Sequence, residues 1–204
     1  MGKCVKCKQK EGKLPLISKE KVCKECFCLI IEKRLLSCLR NKHIILSDVK
    51  NVFIVDDSPK SLFLKLFANQ FDNQMVFDIE IKKHKVSDQI FEDKTIIEYA
   101  KKNKARVFIP WLADDEAEFL LRSLTASKNP KYLSCVVKNK GVTFVKPLIN
   151  ISHSEALTYI EIKTGKKFKQ LNQSKIRKMI DAMEEKYPGR VFGLVKSAEM
   201  LSKL

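Results

Sequence analysis

The sequence predicts an α/β protein, a mostly parallel sheet with a small zinc-ribbon-like knuckle ahead of it. Two observations carry that expectation. From Val52 onward, short apolar runs alternate with segments whose apolar residues recur at helical spacing, the pattern of strands separated by crossover helices. Before them, Cys4, Cys7, Cys23 and Cys26 form Cys-x2-Cys-x15-Cys-x2-Cys, in which two thiolate pairs can close on one tetrahedral ion. The chain of 204 residues is long enough for one main core plus an appendage. The expected division is 1–42, a Cys4 metal knuckle with a basic helix, and 43–204, the α/β domain.

The knuckle region is too short to bury much apolar surface, so a bound metal must supply its folding energy. Zinc suits four thiolates, and an iron-sulfur cluster is the alternative. Cys28 lies two residues past Cys26 and could replace a ligand, but it also fits the face of the next helix. Leu14, Leu16 and Ile17, with Gly12 and Pro15, suit a small hairpin between the cysteine pairs. Seven cysteines without an export signal argue for metal or free thiols over disulfides. The lysine-rich start and the lack of a long apolar run predict a cytoplasmic protein with no membrane partner.

From Phe27 the pattern is helical, with Phe27, Ile30, Ile31, Leu35 and Cys38 on one face and Lys33, Arg34, Arg40 and Lys42 adding charge. Val52 to Val55 read as a buried strand, and Ser61 to Phe67 as the helix after it. Asp56, Asp57, Ser58, Pro59 and Lys60 therefore form a strand-to-helix turn, where α/β sheets receive ligands. A phosphate cradle needs glycines there; this turn has none, and its two carboxylates repel a triphosphate. No ATP binding is expected.

Further strands are expected over 75–81, 106–110, 131–137 and 142–145, with helices over 90–102 and 114–124. Asp114, Asp115 and Glu116 could hold magnesium or act as acids and bases, but Asp114 also suits a helix N-cap and all three suit a helix dipole. Cys135, alone in an apolar strand, reads as a packed thiol, and His153 as a surface residue. Ser152 and Glu155 form a capping box, and a last basic helix with Arg177 and Lys178 stops at Pro188-Gly189. The net charge of +16 is concentrated at the ends: +8 over 1–50 and +7 over 163–204, with a nearly neutral middle. Basic ends suggest a bound polyanion, with Lys33, Arg34, Arg40, Lys42, Arg177 and Lys178 as candidate RNA contacts.

The order of these features resembles the second subunit of the cytoplasmic tRNA 2-thiolation protein, of the ATP-pyrophosphatase-like family. The particular parts are Cys23-Lys24-Glu25-Cys26-Phe27, Leu112-Ala113-Asp114-Asp115, Lys146-Pro147-Leu148, Tyr187-Pro188-Gly189-Arg190-Val191 and Lys196-Ser197-Ala198-Glu199, and the resemblance covers nearly the whole chain. It implies an adenine-nucleotide alpha-hydrolase-like, Rossmann-like sheet domain. Catalytic relatives carry Ser-Gly-Gly-x-Asp-Ser at the first turn; here Asp56, Asp57, Ser58 and Lys60 depart from it and only Ser61 matches. They also use a Cys-x2-Cys and a further cysteine in the sheet domain, where this chain offers only Cys135. The resemblance thus implies a non-catalytic pseudoenzyme in a heterodimer, whose catalytic partner thiolates the wobble uridine of tRNA with sulfur from a ubiquitin-like carrier. Two alternatives stay open: an active ATP-dependent tRNA sulfurtransferase, and a zinc-ribbon nucleic-acid-binding adaptor.

Overall fold

The computed structural model describes residues 2–16, 20–42, 44, 49–72, 78–126, 131–168 and 174–202. A two-stranded antiparallel hairpin, β1 (Leu14–Pro15) and β2 (Lys21–Val22), lies between the cysteine pairs, as the spacing predicts; Ile17 falls outside the described residues. Gly12 is required beside it, because a Cβ there would meet the Lys21 carbonyl oxygen at 2.7 Å. Helix α1 (Lys24–Asn41) follows and buries Phe27, Cys28, Ile31, Leu35, Cys38 and Leu39, the face expected from the sequence.

The main sheet comprises β3 (Asn51–Val55), β4 (Ile79–Lys83), β5 (Arg106–Phe108), β6 (Val136–Asn139) and β7 (Val142–Val145), in the order β4-β3-β5-β7-β6. The first four in that order run parallel and β6 is antiparallel at the edge. Between them lie α2 (Pro59–Asp72), α3 (Lys94–Lys102) and α4 (Ala113–Thr125), followed by α5 (His153–Thr164), α6 (Lys175–Lys186) and α7 (Arg190–Leu201). Both faces of the sheet are covered. Phe53 and Phe108 stack at 4.5 Å on one face, in a core shared with Phe27, Ile31 and Leu35 of α1 and Tyr159 of α5. Val52, Ile54, Val107 and Phe144 fill the other against Phe91, Ile96, Ile97 and Trp111.

Several elements differ from expectation for local reasons. The strand expected over 75–81 is β4 and runs on to Lys83, and 75–77 of its expected span lie outside the described residues. The helix expected over 90–102 is split: a short 3-10 turn covers Ile90–Glu92, and Asp93 then caps α3 by accepting from the Ile96 N–H at 3.1 Å. The edge strand starts at Val136 because Tyr132 and Ser134, at φ 61° and 115°, cannot extend a ladder. Gly189, at φ 91°, restarts the chain into α7, a helix the sequence reading did not separate. The capping box at Ser152 is present, with its hydroxyl accepting from the Glu155 N–H and Glu155 accepting from the Ser152 N–H. Among the described residues no helix is long and apolar enough to cross a membrane.

Candidate functional site

The Sγ atoms of Cys4, Cys7, Cys23 and Cys26 all lie within 4.8 Å of one another, and Cys7 and Cys23 are 3.9 Å apart. Among the described residues this is the group of cysteine, histidine and carboxylate side chains gathered closely enough to hold a metal ion. Tight backbone turns make the cluster: the Lys8 N–H donates to the Cys4 carbonyl at 2.9 Å, with Lys8 itself at φ 58°. The Phe27 N–H likewise returns to the Cys23 carbonyl as α1 begins. Burial opposes ionisation of Cys4, but N–H donors from Cys7, Cys23 and Lys6 outweigh it and bring its thiol down to about 6. Cys26 moves the other way, to about 12, because its neighbour Cys23 and its burial resist a second negative charge. Four thiols so placed ionise together only around a cation. Cys28 is turned into the core of α1, outside this group.

The turn after β3 is the second candidate. Asp56 Oδ1 accepts from the Ser58 N–H at 3.0 Å, the Ser61 hydroxyl at 2.6 Å and the Ser58 hydroxyl, while Oδ2 accepts from the Val86 N–H at 3.3 Å. Burial works against the charged carboxylate, but the Ser58 and Ser61 donors outweigh it and hold its pKa below the usual range. Donors at the start of a helix, in the place where α/β sheets hold phosphate, therefore converge on an anion that the chain supplies itself. Asp57 points outward to Lys83 at 2.9 Å, and Lys60 reaches across to Asp115 at 3.2 Å. A cavity of about 460 Å³ opens beside the turn, lined by Asp56, Leu62, Lys65, Ile81, Lys83 and Phe168 among others.

The three carboxylates opening α4 diverge. Asp115 caps the helix by accepting from the Leu112 N–H at 2.9 Å, so the N-cap expected at Asp114 falls two residues earlier, at Leu112. Asp114 is buried, accepts from the His153 N–H at 2.5 Å and faces Arg177 at 3.5 Å; burial raises its pKa to about 6. Glu116 is fully buried, accepting from Lys146 Nζ at 2.6 Å, from Trp111 Nε1 at 2.8 Å and from the Ser134 N–H at 3.1 Å. Each carboxylate is engaged within the fold. His153 is half-buried, and burial lowers its pKa.

The candidate RNA contacts separate on the same grounds. Lys33, Arg40 and Lys178 are exposed. Arg34 pairs with Glu155 at 2.7 Å and Lys42 pairs with Glu199. Arg177 is buried within 4 Å of Asp114, Asp115, Glu118 and Asp181, so it serves the packing of α6 on α4 and presents no face to phosphate. Sequence reasoning did not single out the lysines around the knuckle: Lys3, Lys6, Lys8, Lys21 and Lys24 are all exposed there. Their clustering in the first 24 residues was visible in the charge count. Cys135 is in the core as expected, but its sulfur meets that of Cys38 of α1 at 2.8 Å.

No family model matches the chain, and no curated protein matches its sequence. Among solved structures, it is similar to the U34-tRNA thiolase NcsA from Methanococcus maripaludis with its 4Fe-4S cluster. The TM-score is 0.80 at 17% identity, and the match covers 100% of this chain and 88% of that one. At that identity the likeness is one of fold.

Proposed function

We propose that this chain is the non-catalytic subunit of a complex that 2-thiolates the wobble uridine of cytoplasmic tRNAs, binding tRNA and supporting a catalytic partner. The observation that carries the reading is the Asp56 carboxylate seated among the Ser58, Ser61 and Val86 donors, in a fold similar to that of a tRNA thiolase. A nucleotide phosphate approaching that turn meets a fixed negative charge in place of unpaired N–H groups, so adenylation is left to the partner. The division at residue 42 assigns the knuckle and α1 to RNA and 43–204 to the partner. Cys4, Cys7, Cys23 and Cys26 hold zinc in this reading: tetrahedral Zn–S bonds of about 2.3 Å place sulfurs about 3.8 Å apart, and the 3.9 Å between Cys7 and Cys23 agrees. A four-iron cubane needs its thiolates spread farther than a single ion does. Zinc there is structural, holding together the knuckle on which Lys3, Lys6 and Lys8 are exposed, at the start of the helix that carries the exposed Lys33 and Arg40.

The deciding experiment is affinity purification from cells with mass spectrometry of bound protein and RNA, alongside a pyrophosphate-release assay on the isolated chain. A co-purifying ATP-pyrophosphatase, bound tRNA and no release by the chain alone support the proposal. The cavity of about 460 Å³ beside the turn favours one competitor, an active ATP-dependent sulfurtransferase, and tRNA-stimulated pyrophosphate release without partner establishes that instead. Unchanged wobble-uridine thiolation after loss of the chain leaves the adaptor reading. Binding through lysines must weaken steeply with salt, each phosphate contact adding about 0.7–0.9 to the logarithmic slope.

A further inference from the structure

We infer that Cys38 and Cys135 form a redox-active thiol pair, closed to a disulfide by hydroperoxides and reopened by thiols, which ties the helix carrying the knuckle to the sheet domain. The two sulfurs lie 2.8 Å apart, closer than Cys7 and Cys23 in the metal cluster at 3.9 Å. They come from residues 97 apart, one on α1 and one just before β6, so their meeting is made by the tertiary fold. Cys135 is held firmly: its carbonyl accepts from the Lys146 N–H at 2.8 Å and its sulfur lies 3.6 Å from the Lys146 carbonyl. The preceding Ser134, at the unusual φ of 115°, is fixed by its N–H bond to Glu116. That strained approach aims Cys135 at α1.

Burial protects both thiols, each 4% exposed, yet both cysteines line a cavity of about 240 Å³ that is also bordered by Lys42, Asn150 and Glu199. It admits a peroxide and excludes a protein reductase, so the matching reductant is a small thiol. The two sulfurs titrate unequally: the hydrogen bond from Cys135 favours the Cys38 thiolate, and the same contact with burial suppresses ionisation of Cys135. Cys38 is the nucleophile, because the Cys135 thiol also faces the Lys146 carbonyl as a donor at 3.6 Å and so keeps its proton. Its thiolate attacks one oxygen of hydrogen peroxide, the O–O bond breaks and the other oxygen leaves as water, giving a sulfenic acid; an organic hydroperoxide would release its alcohol in place of that water. The Cys135 thiol then displaces the second water, so two thiols and one peroxide become one disulfide and two waters. Reduction by two thiols returns both protons. The pair is independent of the proposed function, because neither cysteine touches the knuckle or the Asp56 turn.

The test uses the full metal-loaded chain exposed to hydrogen peroxide, then alkylated, digested and read by mass spectrometry. A Cys38–Cys135 linked peptide, lost on treatment with glutathione, supports the inference, as does an intact mass lower by two hydrogens with the knuckle metal retained. Limited proteolysis within α1 must slow in the oxidised form. Cys38→Ser and Cys135→Ala each abolish the linked form, and should either fail to fold, peptide mapping of the unaltered chain still decides. If the two thiols stay separately alkylatable, oxidise singly to sulfinic acid, or remain reduced while the knuckle cysteines oxidise, the inference is overturned.

Discussion

The cysteine knuckle and the turn after β3 treat charge in opposite ways. At the knuckle, four thiols converge and need an external cation before they can all ionise. At the turn, four donors converge and the chain's own Asp56 supplies the anion. One place is completed from outside and the other from within. The difference teaches that placement at the carboxyl edge of a sheet defines where a ligand can bind, while the side chains there determine whether space for its charge remains.

The comparison breaks most readily at the knuckle. Chelation, or Cys4→Ser with Cys23→Ser, is expected to unfold the hairpin, since structural zinc in isolated knuckles supplies an apparent ~10–16 kcal/mol. The sheet should survive, because the core of Val52, Ile54, Val107, Phe144 and Trp111 does not involve the knuckle. Hydrogen exchange checks this: residues 2–26 lose protection and β3, β5 and β7 keep it. Global unfolding on chelation would show that the metal organises the whole chain.

Next in size is the Lys146–Glu116 pair, fully buried and completed by Trp111 and the Tyr132 carbonyl. Removing only the cation with Lys146→Met strands a buried carboxylate and is expected to cost about 3–5 kcal/mol in chemical denaturation. Lys146→Met with Glu116→Gln should cost clearly less, because no uncompensated charge is left. A double variant as damaged as the single one would mean the pair acts through packing alone.

How much of this was legible in the sequence follows from the range of the interactions. The knuckle was legible because ligand spacing is local, and so were the strand at Val52, the helix at α1 and the Ser152 capping box. Arg177 was misread because its four carboxylates come mainly from α4, more than fifty residues away, and an exposed arginine has the same one-dimensional signature. The role of Asp56 was half legible: its charge at the turn can be read from the sequence, but seating that charge needs Ser58 and Ser61 two and five residues on and Val86 thirty residues on. The Cys38–Cys135 contact had no sequence signal, since each cysteine alone fits an apolar face.

Asp114 and Asp56 sharpen the comparison through pH, with opposite signs. The folded pKa of Asp114, about 6, is above the ordinary 3.8. The folded state therefore holds its proton more tightly, and the stability so gained is present below 3.8 and lost as pH rises through about 6, worth at most about 3 kcal/mol. Asp56 is depressed, so its contribution is present above 3.8 and lost as pH falls through its lower folded value. Asp114→Asn should remove part of the decline in stability between pH 5 and 7; denaturant midpoints of variant and unaltered chain at both pH values check it. Equal pH slopes in the two proteins would show that Arg177 keeps Asp114 charged throughout.

The smallest expected effect bears most directly on the turn. Asp56→Ala leaves the Ser58 and Val86 N–H groups without their acceptor, at a cost of about 1–3 kcal/mol if water does not replace it. If the carboxylate occupies a phosphate cradle, sulfate or pyrophosphate must recover much of that loss, because an external anion then meets the same donors without a fixed charge opposing it. The unaltered chain, with the cradle filled, should gain less from the same anion. Asp56→Asn separates shape from charge: it keeps an acceptor for Ser58 and Ser61 but turns an amide N–H toward the Val86 donor, so it should fall between the two in stability and gain little from added anion. Tm in chloride against sulfate at matched ionic strength reads all three. If Asp56→Ala responds to sulfate no more than the unaltered chain does, the donors at this turn are a helix cap and nothing more, and the contrast with the knuckle fails.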